Sequence, residues 1–268
     1  MTRWAYKIFG FSHIGNSRAN QEDNFLIGKK LLDLEVIKRF STESPSVCVD
    51  YTDDSDNTLL AVSDGMGGHS SGEIASCLTV MYLSDNYSKI VEGDKSDLLQ
   101  IISELNRQVS NESQNNPSYK GMGATLCGFV AREGLFLGFN VGDSRLYRYE
   151  NGKLSQLSKD HSEGQRLLDL KLLTKEELKS FPNRKAIYKY IGMKTDLVAD
   201  VIDIEPCEQG TILLLCTDGL TDVLTDSEIQ EILNNKALLK EKGEKLLNTA
   251  LERNVGHGDN ITIILTEF

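Results

Sequence analysis

Short stretches in which apolar and polar positions alternate, or run apolar throughout, dominate this chain. Trp4 to Gly10, Asp23 to Gly28, Thr58 to Ser63, Thr125 to Ala131, Leu135 to Val141, Ser144 to Glu150 and Lys153 to Ser158 have this character, often with Gly or Asn at their limits. That pattern predicts strands of antiparallel sheet. Arg132-Glu133-Gly134 and Asn151-Gly152 predict tight hairpin turns, the second supplying the residues that accept positive φ. Further strands are expected over Leu197 to Ile204, Thr211 to Thr217 and Ile261 to Leu265.

Helical spacing separates these strands in pairs. Ser71 to Tyr87 is one such stretch, and Lys95 to Gln114 aligns Leu98, Ile101, Ile102, Leu105 and Val109 on one face. Near the end, Asp226 is placed to cap a helix reaching Leu233, and Lys240 to Asn254 is amphipathic. Strand runs broken by paired helices predict an α+β architecture of sheets covered by helices. Two regions are less regular. Lys29 to Asn57 combines Leu31, Leu32, Leu34, Val36 and Ile37 with the acidic run Asp50, Asp53, Asp54 and Asp56, which predicts a surface excursion with a short packed element and a solvated acidic tail. Asp160 to Arg184 is polar, highly charged and interrupted by Pro182, the character of a helical flap beside the sheet.

A length of 268 residues with 40% hydrophobic content suits one compact domain spanning residues 1–268. Acidic residues outnumber basic ones 40 to 29, and the net charge of −11 opposes binding to nucleic acid or anionic membrane. Cys48, Cys77, Cys127, Cys207 and Cys216 are scattered without a CxxC pair, so free thiols in a reducing cytoplasm are expected. Met1 to Gly10 lacks an apolar run of signal-peptide length, and no stretch has the length of a spanning helix.

Three acidic stretches change the picture from fold to chemistry: Asp64-Gly65-Met66-Gly67-Gly68-His69, Cys216-Thr217-Asp218-Gly219-Leu220 and Gly258-Asp259-Asn260. Each sets a carboxylate where an apolar strand meets a loop. Gathered at one rim of a sheet, such oxygens suit hard divalent cations. Singly, each has an ordinary explanation: a glycine turn at Asp64, a helix N-cap at Asp218, an Asx turn at Asp259. Asp218, however, follows the continuous apolar run Ile212 to Thr217, and a carboxylate leaving so buried a strand needs a partner. Arg18 stands near Glu22 and Asp23, either as an exposed ion-pair cluster or as a fork for two phosphate oxygens.

Taken in order, Arg18…Glu22-Asp23, Asp64-Gly65-Met66-Gly67-Gly68-His69, Gly121-Met122-Gly123-Ala124-Thr125, Gly142-Asp143-Ser144-Arg145, Thr217-Asp218-Gly219 and Gly258-Asp259-Asn260 resemble the metal-dependent protein phosphatase 2C family in its bacterial form, from about Phe9 to Ile264. The resemblance implies a four-layer sandwich, two antiparallel β-sheets flanked by helices on both outer faces. It implies a phosphoserine/phosphothreonine phosphatase using two Mn²⁺ or Mg²⁺ ions, with direct attack of a metal-bridging hydroxide. Asp64 would bridge the ions, the Gly65 carbonyl would bind the second, and Asp218 and Asp259 would complete the first. Glu22 and Asp23 would act through bound water, Arg18 would bind phosphate, and Asn260 would support the site. The substrate implied is a phosphorylated protein, the product of a cognate serine/threonine kinase.

Two departures from that pattern matter. Animal members carry a histidine directly after Asp-Gly, where this chain has Met66, so the general acid is unassigned; His69 and His161 are candidates by motif, each with a structural role as the ordinary alternative. Lys120 occupies the position from which an acid would help a third cation, which predicts a weak or missing third site unless Asp143 or another carboxylate compensates; Asp143 is expected to stabilise its hairpin. The competing functions are a weakly active phosphoprotein-binding regulator of the same fold and an esterase of small phosphates. The complete Asp64, Asp218, Asp259 set argues against the first, and the lack of a GxxxxGK[ST] loop against a nucleotide enzyme.

Overall fold

The computed structural model describes residues 6–53, 57–67, 71–253 and 258–268. Its strands are β1 (Tyr6–His13), β2 (Asp23–Ile27), β3 (Lys30–Leu31), β4 (Ser46–Asp53), β5 (Asn57–Met66), β6 (Gly123–Ala124), β7 (Leu126–Arg132), β8 (Leu135–Val141), β9 (Arg145–Glu150), β10 (Lys153–Gln156), β11 (Asp200–Ile204), β12 (Ile212–Cys216) and β13 (Ile261–Glu267). One sheet runs β10-β9-β12-β13-β1-β4 and the other β11-β8-β7-β5-β2-β3, with β6 added on β5. The hairpins form where the turn residues predicted them: Glu133, Gly134, Asn151 and Gly152 all have positive φ.

The helices are α1 (Leu34–Arg39), α2 (Gly72–Asp85), α3 (Tyr87–Glu92), α4 (Lys95–Asn115), α5 (Glu163–Asp169), α6 (Lys175–Lys179), α7 (Asp218–Thr221), α8 (Asp226–Leu233) and α9 (Leu239–Arg253). Because side chains alternate across a strand, each central strand feeds two cores. Leu213 and Leu215 of β12 meet Leu60 and Val62 of β5 between the sheets. Leu59 and Ala61 of β5 face outward to Val80, Leu98, Ile102 and Leu105 of α2 and α4. Leu214 and Cys216 of β12 face the other way, to Leu220, Ile229, Leu246 and Ala250 of α7 to α9. Burial on both faces explains why these strands read as unbroken apolar runs. The result is the expected α+β sandwich of four layers.

Several local expectations are corrected. The helix expected from Ser71 to Tyr87 stops at Asp85: the Asn86 amide donates 2.9 Å to the Tyr82 carbonyl, local bonding that competes with continued helix, and α3 begins afresh. The cap of α8 is Thr225, whose side chain and that of Glu228 bond each other's backbone N–H; Asp226 is instead the first helical residue and accepts 2.9 Å from the Tyr147 hydroxyl.

The 29–57 region holds the short packed element expected of it, but its acidic tail is an edge strand. Leu32, Ile37 and Phe40 are buried in the inter-sheet core, and Ser46–Asp53 pairs with β1 from Tyr6↔Asp53 to His13↔Ser46. Val47, Val49 and Tyr51 pack inward while Cys48 and Asp50 are exposed, so the acidic character marks the solvent side of a sheet edge, where charge opposes pairing with other chains. The 160–184 segment holds the short helices α5 and α6. Trp4, Asp54, Asp56, Gly68, His69, Asn254, Gly256 and His257 lie outside the described residues. Among those described, no helix is long and apolar enough to cross a membrane.

Candidate functional site

The two sheets bring their acids to one end of the sandwich by strand register. The β2–β5 pairing sets Asp23 directly across from Asp64, while Asp218 follows the end of β12 and Asp259 precedes the start of β13. Hydrogen bonds stitch the sheets together at that end. Thr217 Oγ1 donates 2.7 Å to Asp23 Oδ2 and accepts 3.0 Å from the Thr262 N–H. Asn260 donates to the carbonyls of Ile14 and Asn20 at 2.7 and 3.0 Å and accepts the Glu22 N–H at 2.7 Å. Two glycines permit the close approach. A Cβ on Gly65 would stand 2.0 Å from the Gly72 carbonyl oxygen, and one on Gly219 would stand 1.9 Å from that of Asn260.

Thr125 fixes the Asp64 backbone from the other side. Its N–H donates 2.8 Å to the Asp64 carbonyl, its Oγ1 accepts the Asp64 N–H at 2.9 Å, and that hydroxyl lies 2.7 Å from Ser144 Oγ. The Gly-Ala-Thr and Gly-Asp-Ser motifs thus act as a clamp on the first acid, a role with no local sign in either motif.

The electrostatics of the recess are those of acids crowded together, with Arg18 at the rim as a counter-charge to Asp259 and Glu22. Asp64 and Asp218 keep a little accessible surface but lie deep among protein atoms. Burial pushes the Asp64 carboxyl well above its ordinary range, with Asp23, Asp218, Asp259 and Asp143 adding repulsion. Burial likewise raises Asp218, followed by Asp222, Asp143 and Asp259. Asp23 is raised to about 7, first by burial, and Asp143 to about 7 by burial and then Asp160. Glu22 is raised by burial, against the pull of Arg18. Asp143 adds its charge to the acid group while also bonding its own backbone N–H in the turn before β9.

Among the described residues, nothing hydrogen-bonds Oδ1 of Asp218, an atom buried from solvent. Nor are three carboxylate, imidazole or thiolate groups drawn together as ready ligands of one ion among those residues. The acids are neighbours around one recess. An all-oxygen donor set with an orphaned carboxylate oxygen fits a hard divalent cation.

At the rim, Arg18 Nη2 lies 2.7 Å from Asp259 Oδ2 and Nη1 3.9 Å from Glu22 Oε2, while the Asn260 N–H occupies Asp259 Oδ1 at 2.8 Å. The ordinary reading of Arg18, an ion-pair cluster, is thus realised, while Asp259 bonds the N–H of the next residue and not the one two positions on that an Asx turn requires. The ordinary reading of Asp218 is not realised either: Thr217 is the N-cap of α7, and Asp218 is its first residue.

His161 is bound into the scaffold. Its Nδ1 accepts the Gly142 N–H at 3.0 Å, which puts the proton of the neutral ring on Nε2, 3.1 Å from Asp200 Oδ2; burial lowers its pKa. Lys120 is exposed in the turn preceding β6. Sequence reasoning missed Asp160, which takes three hydrogen bonds of 2.7 to 3.1 Å from Arg145, and Asp222, whose carboxylate meets both Asp218 and Lys185. Arg145 lies in a motif already singled out, but its partner fifteen positions on has no periodic or spacing signal.

Residues 43–257 match the family model described as protein phosphatase 2C. The serine/threonine phosphatase stp of Listeria monocytogenes is 33% identical over 214 residues, 78% of this chain and 84% of that relative. Protein phosphatase PhpP of Streptococcus pneumoniae is 32% identical over 223 residues, 80% of this chain and 87% of that relative. Among solved structures, the S. agalactiae serine/threonine phosphatase superposes with a TM-score of 0.82 at 28% identity, covering 98% of this chain and 99% of that one. The Mycobacterium tuberculosis phosphatase PstP/Ppp gives 0.78 at 27% identity, covering 99% of each chain. With a family model spanning most of its length and a matching sandwich, this chain belongs to the protein phosphatase 2C family.

Proposed function

We infer that this chain is a metal-dependent phosphatase of phosphoserine and phosphothreonine in proteins. The inference rests on the meeting of Asp23, Asp64 and Asp218 in one recess where, among the described residues, nothing hydrogen-bonds Asp218 Oδ1. Magnesium or manganese, held by Asp64, the Gly65 carbonyl, Asp218 and Asp259, with Glu22 and Asp23 acting through water, would neutralise phosphate oxygens and lower the pKa of an attacking water.

The chain's own residues do the rest. Thr125 and Ser144 keep Asp64 in place, and Asn260 ties Glu22 to the Asp259 loop. Arg18, about half exposed, exchanges Asp259 for two phosphate oxygens at little cost, since an exposed pair is worth at most about 1 kcal/mol. His161 is committed to Gly142 and faces Asp200, which leaves His69 or water to protonate the leaving alcohol. No cysteine serves as nucleophile: burial raises the thiols of Cys77 to about 11 and of Cys207 and Cys216 to about 12, away from the thiolate. Two ions are the number this reading uses; a third site is expected to be weak or missing because Lys120 stands where an acid would help hold it, unless Asp143, close to Asp218, compensates. The substrate is the product of a serine/threonine kinase, and the free thiols suit a reducing cytoplasm.

Hydrolysis of para-nitrophenyl phosphate and of a phosphothreonine peptide is measured with EDTA, magnesium or manganese. Turnover of both that requires added metal is expected. Peptide binding without turnover would leave a phosphoprotein-binding regulator, and strong preference for nucleotides a small-molecule esterase.

A further inference from the structure

A cavity of about 330 Å³ separates the acid recess from the 160–185 segment. Asp143, Asp218 and Asp222 line its inner wall, and Lys175, Arg184 and Lys185 its outer wall. Such a group of cations is against the trend of a chain with net charge −11. Lys185 is balanced by Asp222, and Arg145, deeper in the cavity, by Asp160. Among the described residues, Lys175 and Arg184 have no ion-pair partner, so their charge is available to an incoming group.

Both are carried by ordered backbone. The Arg184 carbonyl accepts the Gly164 N–H at 2.8 Å and the Ala186 carbonyl accepts the Glu163 N–H at 2.8 Å; the Tyr188 N–H closes the ladder on the His161 carbonyl at 3.0 Å. Lys175 opens α6, whose start is fixed by the Thr174–Glu177 capping box. Charges held on bonded backbone lose less entropy when they meet a partner.

We propose that Lys175 and Arg184 are specificity-determining residues that read acidic side chains flanking the phosphorylated Ser or Thr, making acidic phosphopeptides the favoured substrates; this rests on the phosphatase reading above. With the phosphate seated in the recess, the neighbouring peptide residues pass beneath the outer wall. Arg184 offers a fork that matches a carboxylate, and Lys175 a point charge. Without these two, the acidic inner wall and the overall charge repel an acidic peptide.

The test compares kcat/KM for phosphothreonine peptides that differ only in Glu, Ala or Lys on both sides of the phosphoresidue. The wild type should follow the order Glu, Ala, Lys, with a total range of roughly tenfold for two partly exposed charge pairs, shrinking as salt is raised. In Lys175→Gln/Arg184→Gln the order should flatten or invert, while para-nitrophenyl phosphate hydrolysis stays within about twofold, because that ester has no flanking residues. Equal or Lys-favouring rates in the wild type, or an unchanged preference in the double variant, overturn the proposal. If metal-loaded protein hydrolyses nothing, the phosphatase reading fails instead. Affinity for the same labelled peptides by fluorescence anisotropy must still show the Glu, Ala, Lys order, and its absence sinks the proposal independently.

Discussion

Two acidic settings lie side by side at one end of this sandwich, and the fold treats them differently. Asp160 is 8% exposed and fully answered from within, by three hydrogen bonds from Arg145 and one of 2.8 Å from Gln156. Asp64 and Asp218, which keep slightly more accessible surface, face Asp23, Asp143 and Asp259, and Asp218 Oδ1 is left without a hydrogen-bond donor among the described residues. Burial alone therefore does not mark a functional acid. The mark is burial without a counter-charge built into the chain, because such a group is costly until something positive arrives.

The sharpest way to break the comparison is to remove one unanswered acid. Asp64→Ala or Asp218→Asn should lower metal-dependent kcat on the order of 10³-fold, the loss of several kcal/mol of charge stabilisation. Metal-free variants should melt at or above the wild-type temperature, since a repelled charge has gone. The wild-type gain on manganese, about 2.7 kcal/mol at a hundredfold excess over Kd, should be largely lost. Near-wild-type turnover, or an undiminished manganese shift, would refute the assignment.

Removing the answer instead of the acid should act on stability. Arg145→Ala strands Asp160 and should cost roughly 3 kcal/mol, a fall in Tm of about 5 °C in a chain of this size. A change below one degree would mean that Arg145 is not what balances Asp160. Arg18→Ala tests the rim between these settings: kcat/KM should drop on the order of 10²-fold, as for loss of one transition-state donor, while Tm hardly moves because its pair with Asp259 is exposed.

The smallest effect belongs to an acid in open solvent. Glu228 is drawn down to about 2 by the Thr225 backbone and hydroxyl and by Arg253. A depressed carboxylate stabilises the fold above its ordinary pKa of 4.5 and loses that contribution as the pH falls toward 2. Glu228→Gln should thus melt slightly lower than wild type at pH 7, and the two should converge near pH 2; a difference that persists there would show that the pH dependence is not electrostatic.

The sequence by itself determined the strands and most helices, since a period of two, a period of 3.6 and the turn residues Asn151-Gly152 are local properties of the chain. It also placed Asp64, Asp218 and Asp259 beside apolar runs, where strand meets loop. The edge strand Ser46–Asp53 was hidden: with one face toward solvent, its Asp residues look like a solvated tail until β1 is beside it. Only the tertiary structure decided which acids are answered. Arg18 meets Asp259 across 241 positions and Arg145 meets Asp160 across 15, while Asp218 lies beside Asp222 and Asp143 and, among the described residues, its Oδ1 has no donor. Charge compensation depends on distance through space, and the strand register that sets those distances is a property of the assembled sheets.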